Sequence, residues 1–134
     1  MIDDGLPTFG RRAFVAGAAG ATAFPMEVFA MAEERAMHGL IGRMRALPGQ
    51  RDALLAILLE GAGTMRGCLS YVIAKDPADV DALWITEVWD SRASHDASLL
   101  MPAVQDAIRR GRPLIAGFDN GHETIPVGGV GLVR

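Results

Sequence analysis

A histidine follows an aromatic, apolar segment at a spacing that could bring both into one pocket. The segment "EVWDSRASHDAS" contains Glu87, Trp89 and His95. Histidine has an ordinary pKa near neutral pH and can act as a general base, and a tryptophan ring offers a flat wall for an aromatic ligand. We therefore predict two catalytic residues, His95 as the base and Glu87 as the group that orients its ring, with Trp89 as a substrate-binding wall.

The spacing of these three residues favours their convergence. In the strand predicted over residues 82–89, Glu87 and Trp89 are two positions apart and point to the same side. His95 stands four positions before Leu99 in a predicted helix, so both lie on one face that is expected to pack on the sheet. The imidazole could then approach the end of the strand, where the carboxylate and the indole lie.

Other roles remain open for the same residues. A single histidine on a half-apolar helix is often a core residue, and Glu87 could instead pair with Arg43 or Arg45 on the neighbouring first strand. Tyr71, through its hydroxyl, and Phe118, as an apolar surface, are further candidates for substrate binding. A core or dimer contact is the alternative for Tyr71.

Three other groups are not expected to form a site. His38 and His122 lie near the ends of predicted strands, and surface or strand-end roles are expected for them. Cys68 is the single cysteine, so no internal disulfide can form and a small buried hydrophobe is expected. None of these residues stands at a metal-ligand spacing, and the sequence predicts no metal site.

The elements that must position the candidate residues alternate between strands and helices. The pattern predicts strands over residues 37–46, 68–75, 82–89 and 114–127, a helix over 50–62, a helix after the N-cap Ser91, and a further helical segment from Pro102 to residue 110. The order β-α-β-β-α-β with right-handed crossovers predicts an α+β, ferredoxin-like fold. Its four-stranded antiparallel sheet would carry helices on one face.

The face of this sheet without helices needs another cover. The strand predicted over residues 82–89 is apolar on both sides, with Leu83 and Ile85 on one side and Trp84 and Val88 on the other. We expect a second copy of the chain to cover this face, which gives a homodimer with sheets packed face to face, a dimeric α+β barrel. Partial exposure of the face in a monomer is the alternative.

The first residues resemble a twin-arginine export signal. "GRRAFVAGAAGATAF" places Arg11 and Arg12 before a short apolar run, and a later "AMA" offers a processing site. Residues 1–32 are therefore predicted to be a signal peptide, and residues 33–134 a periplasmic or extracytoplasmic domain. The run is shorter than the about 20 apolar residues that span a bilayer, so no stable membrane anchor is expected. Translation from Met37 would instead give a cytoplasmic protein.

Composition indicates one domain and argues against nucleic acid as a partner. The chain has 134 residues, of which 50% are hydrophobic and 22% charged, and its formal net charge is -3. This length supports one core but not two. Without a basic stripe the chain has no surface complementary to a phosphate backbone.

The segment from "HGLIGRMRALPGQ" through "EVWDSRASHDASL" resembles the antibiotic biosynthesis monooxygenase family of dimeric α+β barrels. The resemblance rests on "PGQ" after the first strand, on the glycine-preceded "GCLSY", and above all on "EVWDSRASHDAS". It implies oxidation of a hydroquinone or related electron-rich aromatic by molecular oxygen without a cofactor, the substrate being its own reductant. Relatives on this scaffold also include haem-degrading enzymes, isomerases and proteins of no known activity, so the fold does not settle the function.

Two alternatives to quinol oxidation follow from the resemblance. Haem-degrading relatives use an asparagine on the first strand, and the corresponding position here is Gly42, which has no side chain. Haem degradation is therefore disfavoured. The stronger alternative is a non-catalytic, dimeric module, aromatic-binding or stress-associated, that holds an aromatic ligand without turning it over.

Overall fold

The computed structural model describes residues 36–63 and 65–132. The predicted signal peptide over residues 1–32 lies outside the described residues. Within the described part of the chain, no helix is both long and apolar enough to cross a membrane.

Four strands and three helices follow one another in the predicted order. They are β1 (His38–Ala46), α1 (Arg51–Gly61), β2 (Cys68–Lys75), β3 (Ala82–Trp89), α2 (Arg92–Ser98), α3 (Pro102–Gly111), a 3-10 turn (Arg112–Leu114) and β4 (Ile115–Thr124). All neighbouring strands are antiparallel, and their order across the sheet is β2-β3-β1-β4. The ferredoxin-like prediction is confirmed.

The last strand is shorter than predicted at both ends. Proline has a fixed φ and no amide hydrogen to donate to a ladder. Pro113 lies in the 3-10 turn that precedes β4, and Pro126 follows two residues after the strand ends at Thr124. The prediction over residues 114–127 was therefore too long because alternation alone does not show where the ladder stops.

The core lies between the sheet and α1. Leu54 of α1 and Leu83 of β3 are fully buried and pack with Met44 and Ala46 of β1. Burying one such leucine side chain contributes roughly 1.5–3 kcal/mol relative to leaving it exposed. This contact holds α1 against the two central strands.

The opposite side of the sheet, which we call the open face, carries a mixed set of side chains. Ile41, Trp84 and Val88 are partly exposed there, and Val72 is half exposed. Because side chains alternate along a strand, this face is the one turned away from Met44 and its core partners.

Arg43 lies on the open face and forms the centre of an ion-pair network. Its guanidinium donates to Asp76 at 2.8 Å, to Asp119 at 2.9 Å and to Asp79 at 3.1 Å. Arg45 donates to Asp119 at 2.9 Å. The alternative in which Arg43 or Arg45 pairs with the glutamate of β3 is therefore wrong.

The reason is the register of the two central strands. Arg43 pairs with Trp84 of β3, whereas Glu87 pairs with Leu40 of β1. The two charged groups thus point to opposite faces of the sheet.

Candidate active site

The short loop between β3 and α2 fixes where the predicted base lies. Ser91 has an extended backbone, and its hydroxyl accepts a hydrogen bond from the Ser94 amide at 3.1 Å, as expected of an N-cap. The Asp90 amide donates to the Gly67 carbonyl at 2.9 Å, which ties the loop to the start of β2. The helix that carries His95 therefore begins directly beside the end of β3.

The structure brings Glu87, Trp89 and His95 together. The indole of Trp89, which is 1% exposed, donates from Nε1 to Glu87 Oε2 at 2.8 Å. The same oxygen lies 4.0 Å from His95 Nε2. The rings of Trp89 and His95 meet edge to face, with centroids 5.4 Å apart.

These three side chains border an apolar cavity of about 130 Å3 between the sheet and the helices. An apolar cavity of similar size in an engineered protein holds benzene, so the space fits one aromatic ring. Because the mouth is partly open, a larger ring system could extend outward. The cavity is lined by Leu58, Gly61, Ala62, Met65, Tyr71, Glu87, Trp89, His95, Ser98, Leu99, Val104, Ala107 and Ile108.

Burial changes the acidity of two groups in this cavity. It raises the pKa of Glu87 above the ordinary value of 4.5, while the hydrogen bond from Trp89 and the neighbouring His95 act in the opposite direction. Burial also raises the pKa of Tyr71, and the nearby Glu87 and Cys68 add to this effect. The phenol of Tyr71 is therefore a neutral hydroxyl that can donate a hydrogen bond to an anion.

A second histidine, His38, stands beside the predicted base. His38 is the first residue of β1, which agrees with the predicted strand-end position. Its side chain is not on the surface, however, because the residue is only 6% exposed. Its ring centroid lies 5.3 Å from that of His95. Burial lowers the pKa of His38, and Arg92 and His95 lower it further, whereas Glu123 and Asp96 raise it.

Sequence reasoning missed His38 although the topology contained the signal. In the predicted fold, β1 and β3 are antiparallel neighbours, so the start of β1 meets the end of β3. His38 indeed pairs with Trp89. His122 differs, because it is exposed on β4 and pairs with Ile41 of the open face.

Two aromatic residues lie away from the cavity. Phe118 is half exposed on β4 and pairs with Met44, and β1 separates β4 from the strands that line the cavity. Trp84 lies on the open face, where its Nε1 donates to Asp76 Oδ2 at 3.1 Å. Unlike Tyr71, Phe118 is therefore not brought to the cavity within this chain.

Gly42 of β1 is the position compared above with the asparagine of haem-degrading relatives. A Cβ added there would meet no atom within 4 Å, so the position has space for a side chain that glycine does not supply.

Comparisons with known proteins agree with this architecture. The family model for antibiotic biosynthesis monooxygenases matches residues 37–110. A crystal structure of a candidate antibiotic biosynthesis monooxygenase from Chloroflexus aurantiacus is 69% identical, with a TM-score of 0.72, and the match covers 73% of this chain and 100% of that one.

More distant structures share the fold alone. A candidate antibiotic biosynthesis monooxygenase from Caulobacter crescentus is 15% identical with a TM-score of 0.65, over 75% of this chain and 99% of that one. A protein from Pseudomonas aeruginosa is 19% identical with a TM-score of 0.59, over 71% and 98% of the two chains. No curated protein matches the chain. On the family model and the 69% identical structure, the chain belongs to the antibiotic biosynthesis monooxygenase family.

Proposed function

We propose that this protein is a monooxygenase that oxidises a hydroquinone or related electron-rich aromatic with molecular oxygen and without a cofactor. The observation that carries the proposal is the convergence of His95, Glu87 and Trp89 at one wall of an apolar cavity the size of an aromatic ring. Membership in a family of this name supports the reaction type.

The chemistry needs little from the protein. One atom of oxygen enters the ring and the other leaves as water, while the aromatic becomes a hydroxylated quinone and so supplies all the electrons. The difficult step is electron transfer from the ring to oxygen, and a phenolate gives up an electron far more readily than a phenol. A protein that removes the hydroxyl proton and excludes water can therefore promote the reaction.

Four of the side chains that line the cavity have a role in this scheme. The imidazole of His95 takes the proton from the ring hydroxyl, and the Glu87 carboxylate, held by the Trp89 indole, orients the imidazole and stabilises its charged form. The indole of Trp89, which lines the cavity, confines the aromatic ring on one side. The neutral Tyr71 hydroxyl can donate to the phenolate oxygen.

The test is oxygen consumption with a small panel of hydroquinones. The His95→Ala variant is expected to lose roughly 100-fold or more of kcat, because general-base catalysis contributes about that much. His122→Ala, which changes an exposed histidine on the open face, serves as the matched control and should keep the rate of the wild type, provided that light scattering shows an unchanged mass. Equal rates in wild type and His95→Ala would remove His95 from the mechanism.

The alternative is a module that binds an aromatic ligand without oxidising it. One observation favours it: the Glu87 carboxylate already accepts a hydrogen bond from Trp89, and a self-satisfied pair can be a structural feature. Saturable binding of a hydroquinone, followed by quenching of tryptophan fluorescence, with no oxygen uptake would establish this alternative.

We also propose that the chain works as a homodimer after export by a twin-arginine pathway. The partly exposed apolar side chains of the open face support the dimer. The resemblance of residues 1–32 to an export signal supports a periplasmic or extracytoplasmic location.

A further inference from the structure

A row of ionisable side chains leads from the cavity wall to the protein surface. It begins at Glu87 on β3, passes His95 on α2 and the buried His38 on β1, and ends at Glu123 on β4. The side chain of Glu123 is 33% exposed and forms an ion pair of 2.6 Å with Arg92. The proposed function uses only the first two members of this row.

The gaps in the row are short. His95 Nε2 lies 4.0 Å from Glu87 Oε2, and His38 Nε2 lies 4.0 Å from Glu123 Oε1. Each distance exceeds a hydrogen bond by about 1 Å, which a small rotation of the ring or carboxylate removes. The two imidazole rings are tilted by 52° with centroids 5.3 Å apart, so their edges can approach or share one water molecule.

The position of His38 is difficult to explain by packing alone. A buried imidazole has two ring nitrogens that need hydrogen-bonding partners. An apolar residue at the start of β1 could be buried without any hydrogen-bonding partner. The nearest carboxylate, Glu123, leads to solvent, and the nearest imidazole leads to the cavity.

We propose that His38 is a positioning residue that shares a proton with His95 and exchanges it with solvent through Glu123. This inference rests on the proposed function and extends it. When the ring hydroxyl loses its proton to His95, the electron pair stays on the substrate oxygen and the proton moves to His38 and Glu123. A proton returns along the same row when oxygen is reduced to water. Over a complete turnover the row therefore neither gains nor loses a proton.

The charged groups around the pair fit this role. Glu87 faces His95 from β3, Glu123 faces His38 from β4, and Arg92 and Asp96 flank the pair from α2. Asp96 Oδ1 lies 3.2 Å from His95 Nδ1, so three carboxylates favour a proton on the pair, whereas burial and Arg92 disfavour one on His38. The mutual repulsion of two imidazolium ions disfavours a second proton. The geometry therefore lets the pair accept one proton from the substrate and pass it on toward Glu123 during a turnover.

The first experiment uses the full-length protein and the best hydroquinone of the panel. His38→Gln is expected to keep KM within about twofold and to lower kcat by roughly tenfold, less than loss of the base itself. Added imidazole should restore most of the rate, because a small base can carry the proton that His38 carried. Glu123→Gln, at the partly exposed end, should give a smaller loss that imidazole also restores. His122→Gln, on the same strand and the opposite face, is the matched control. Because that face is the proposed dimer interface, light scattering must first show the mass of the wild type, and the rate should then equal that of the wild type.

The second experiment needs no substrate. Nuclear magnetic resonance of labelled histidine rings should show His38 and His95 titrating together in two steps, and His95 titrating in a single step in His38→Gln. Coupled titration without oxygen uptake supports the pair and overturns the proposed function. Independent single-step titrations, or a loss of rate in His38→Gln that imidazole does not restore, overturn the proton-sharing pair.

Discussion

At the scale of single residues, the buried glutamate connects stability with function. Glu87 is held in a mostly apolar wall, and burial raises the pKa of its carboxyl group. A group whose pKa is higher in the folded chain binds more protons there than in the unfolded chain. Its stabilising contribution is complete below the unfolded value near 4.5 and is lost as the pH rises through the folded value. The ionised carboxylate that orients His95 is thus present at a cost in stability.

We expect Glu87→Gln to be more stable than wild type at neutral pH. Glutamine keeps an oxygen that accepts the hydrogen bond from Trp89, but it cannot ionise. The midpoint of thermal unfolding should rise by a few degrees at pH 7, and the two proteins should converge at about pH 4. Thermal melts over this pH range provide the measurement. A variant less stable than wild type at pH 7 and above would contradict the assignment of a buried, destabilised carboxylate.

How far the site could be predicted from the sequence differs between residues. The two-residue spacing of Glu87 and Trp89 requires that they share a face, and the structure places them so. His95 needed the additional expectation that the helix packs on the sheet. The distance of Phe118 from the cavity could not be predicted, because it depends on strand order across the sheet rather than on spacing along the chain.

At the scale of elements, the placement of α2 depends on the residue before β2. Gly67 has a φ of 82°, a left-handed conformation that favours glycine. A Cβ added there would lie 2.5 Å from Ser94 Oγ and 2.8 Å from Asp90 Oδ1. The glycine therefore permits the first turn of α2 to pack directly against the loop before β2.

The substitution Gly67→Ala should consequently displace α2. We expect a loss of about 2 kcal/mol in the free energy of unfolding and a fall of roughly 10 °C in the melting midpoint, because both φ and space are unfavourable. Gly63→Ala is the matched control, since its added Cβ would approach the Glu60 carbonyl oxygen only to an ordinary 3.5 Å. Calorimetry of the two variants distinguishes them; equal midpoints would show that α2 does not depend on this close approach.

The elements themselves were predictable because their signals are local. β-Branched and aromatic residues indicated β2, and alternation indicated β3, both with the observed bounds, and Ser91 and Pro102 marked the starts of two helices. The register shift between Cys68 and Ser70, where β2 pairs with the end of β3, was not predictable. A bulge adds one residue to a strand without changing its composition, so the sequence carries no mark of it.

At the scale of the whole molecule, the sheet has one face packed by helices and one face with exposed apolar side chains. The Arg43 network lies on the open face beside the turn between β2 and β3 and satisfies its charges within the chain. An ionic group that is already paired can be covered by another protein surface at a smaller desolvation cost than an unpaired one. The open face is thus compatible with the proposed dimer.

The proposed dimer predicts a specific effect of Val72, which is 53% exposed on this face. Val72→Asp should convert a dimer into a monomer at micromolar concentration, because an unpaired carboxylate would be buried at the interface. Leu59→Asp, at a 62% exposed leucine of α1, is the control and should remain dimeric. Light scattering of the purified protein gives the mass directly. A wild-type protein with the mass of one chain would contradict the dimer.

The contact between Gly61 and Ala107 has a consequence for which ligands fit. A Cβ at position 61 would lie only 2.7 Å from the Cβ of Ala107, so the end of α1 packs against the middle of α3 with no room for a side chain at position 61. Both residues also border the cavity. Bulkier side chains at either position must spread the two helices or enter the cavity, and either change alters the space for a ligand. The size of ligand that fits is thus governed in part at a helix crossing, by residues that handle no protons, so capacity and reactivity can change independently.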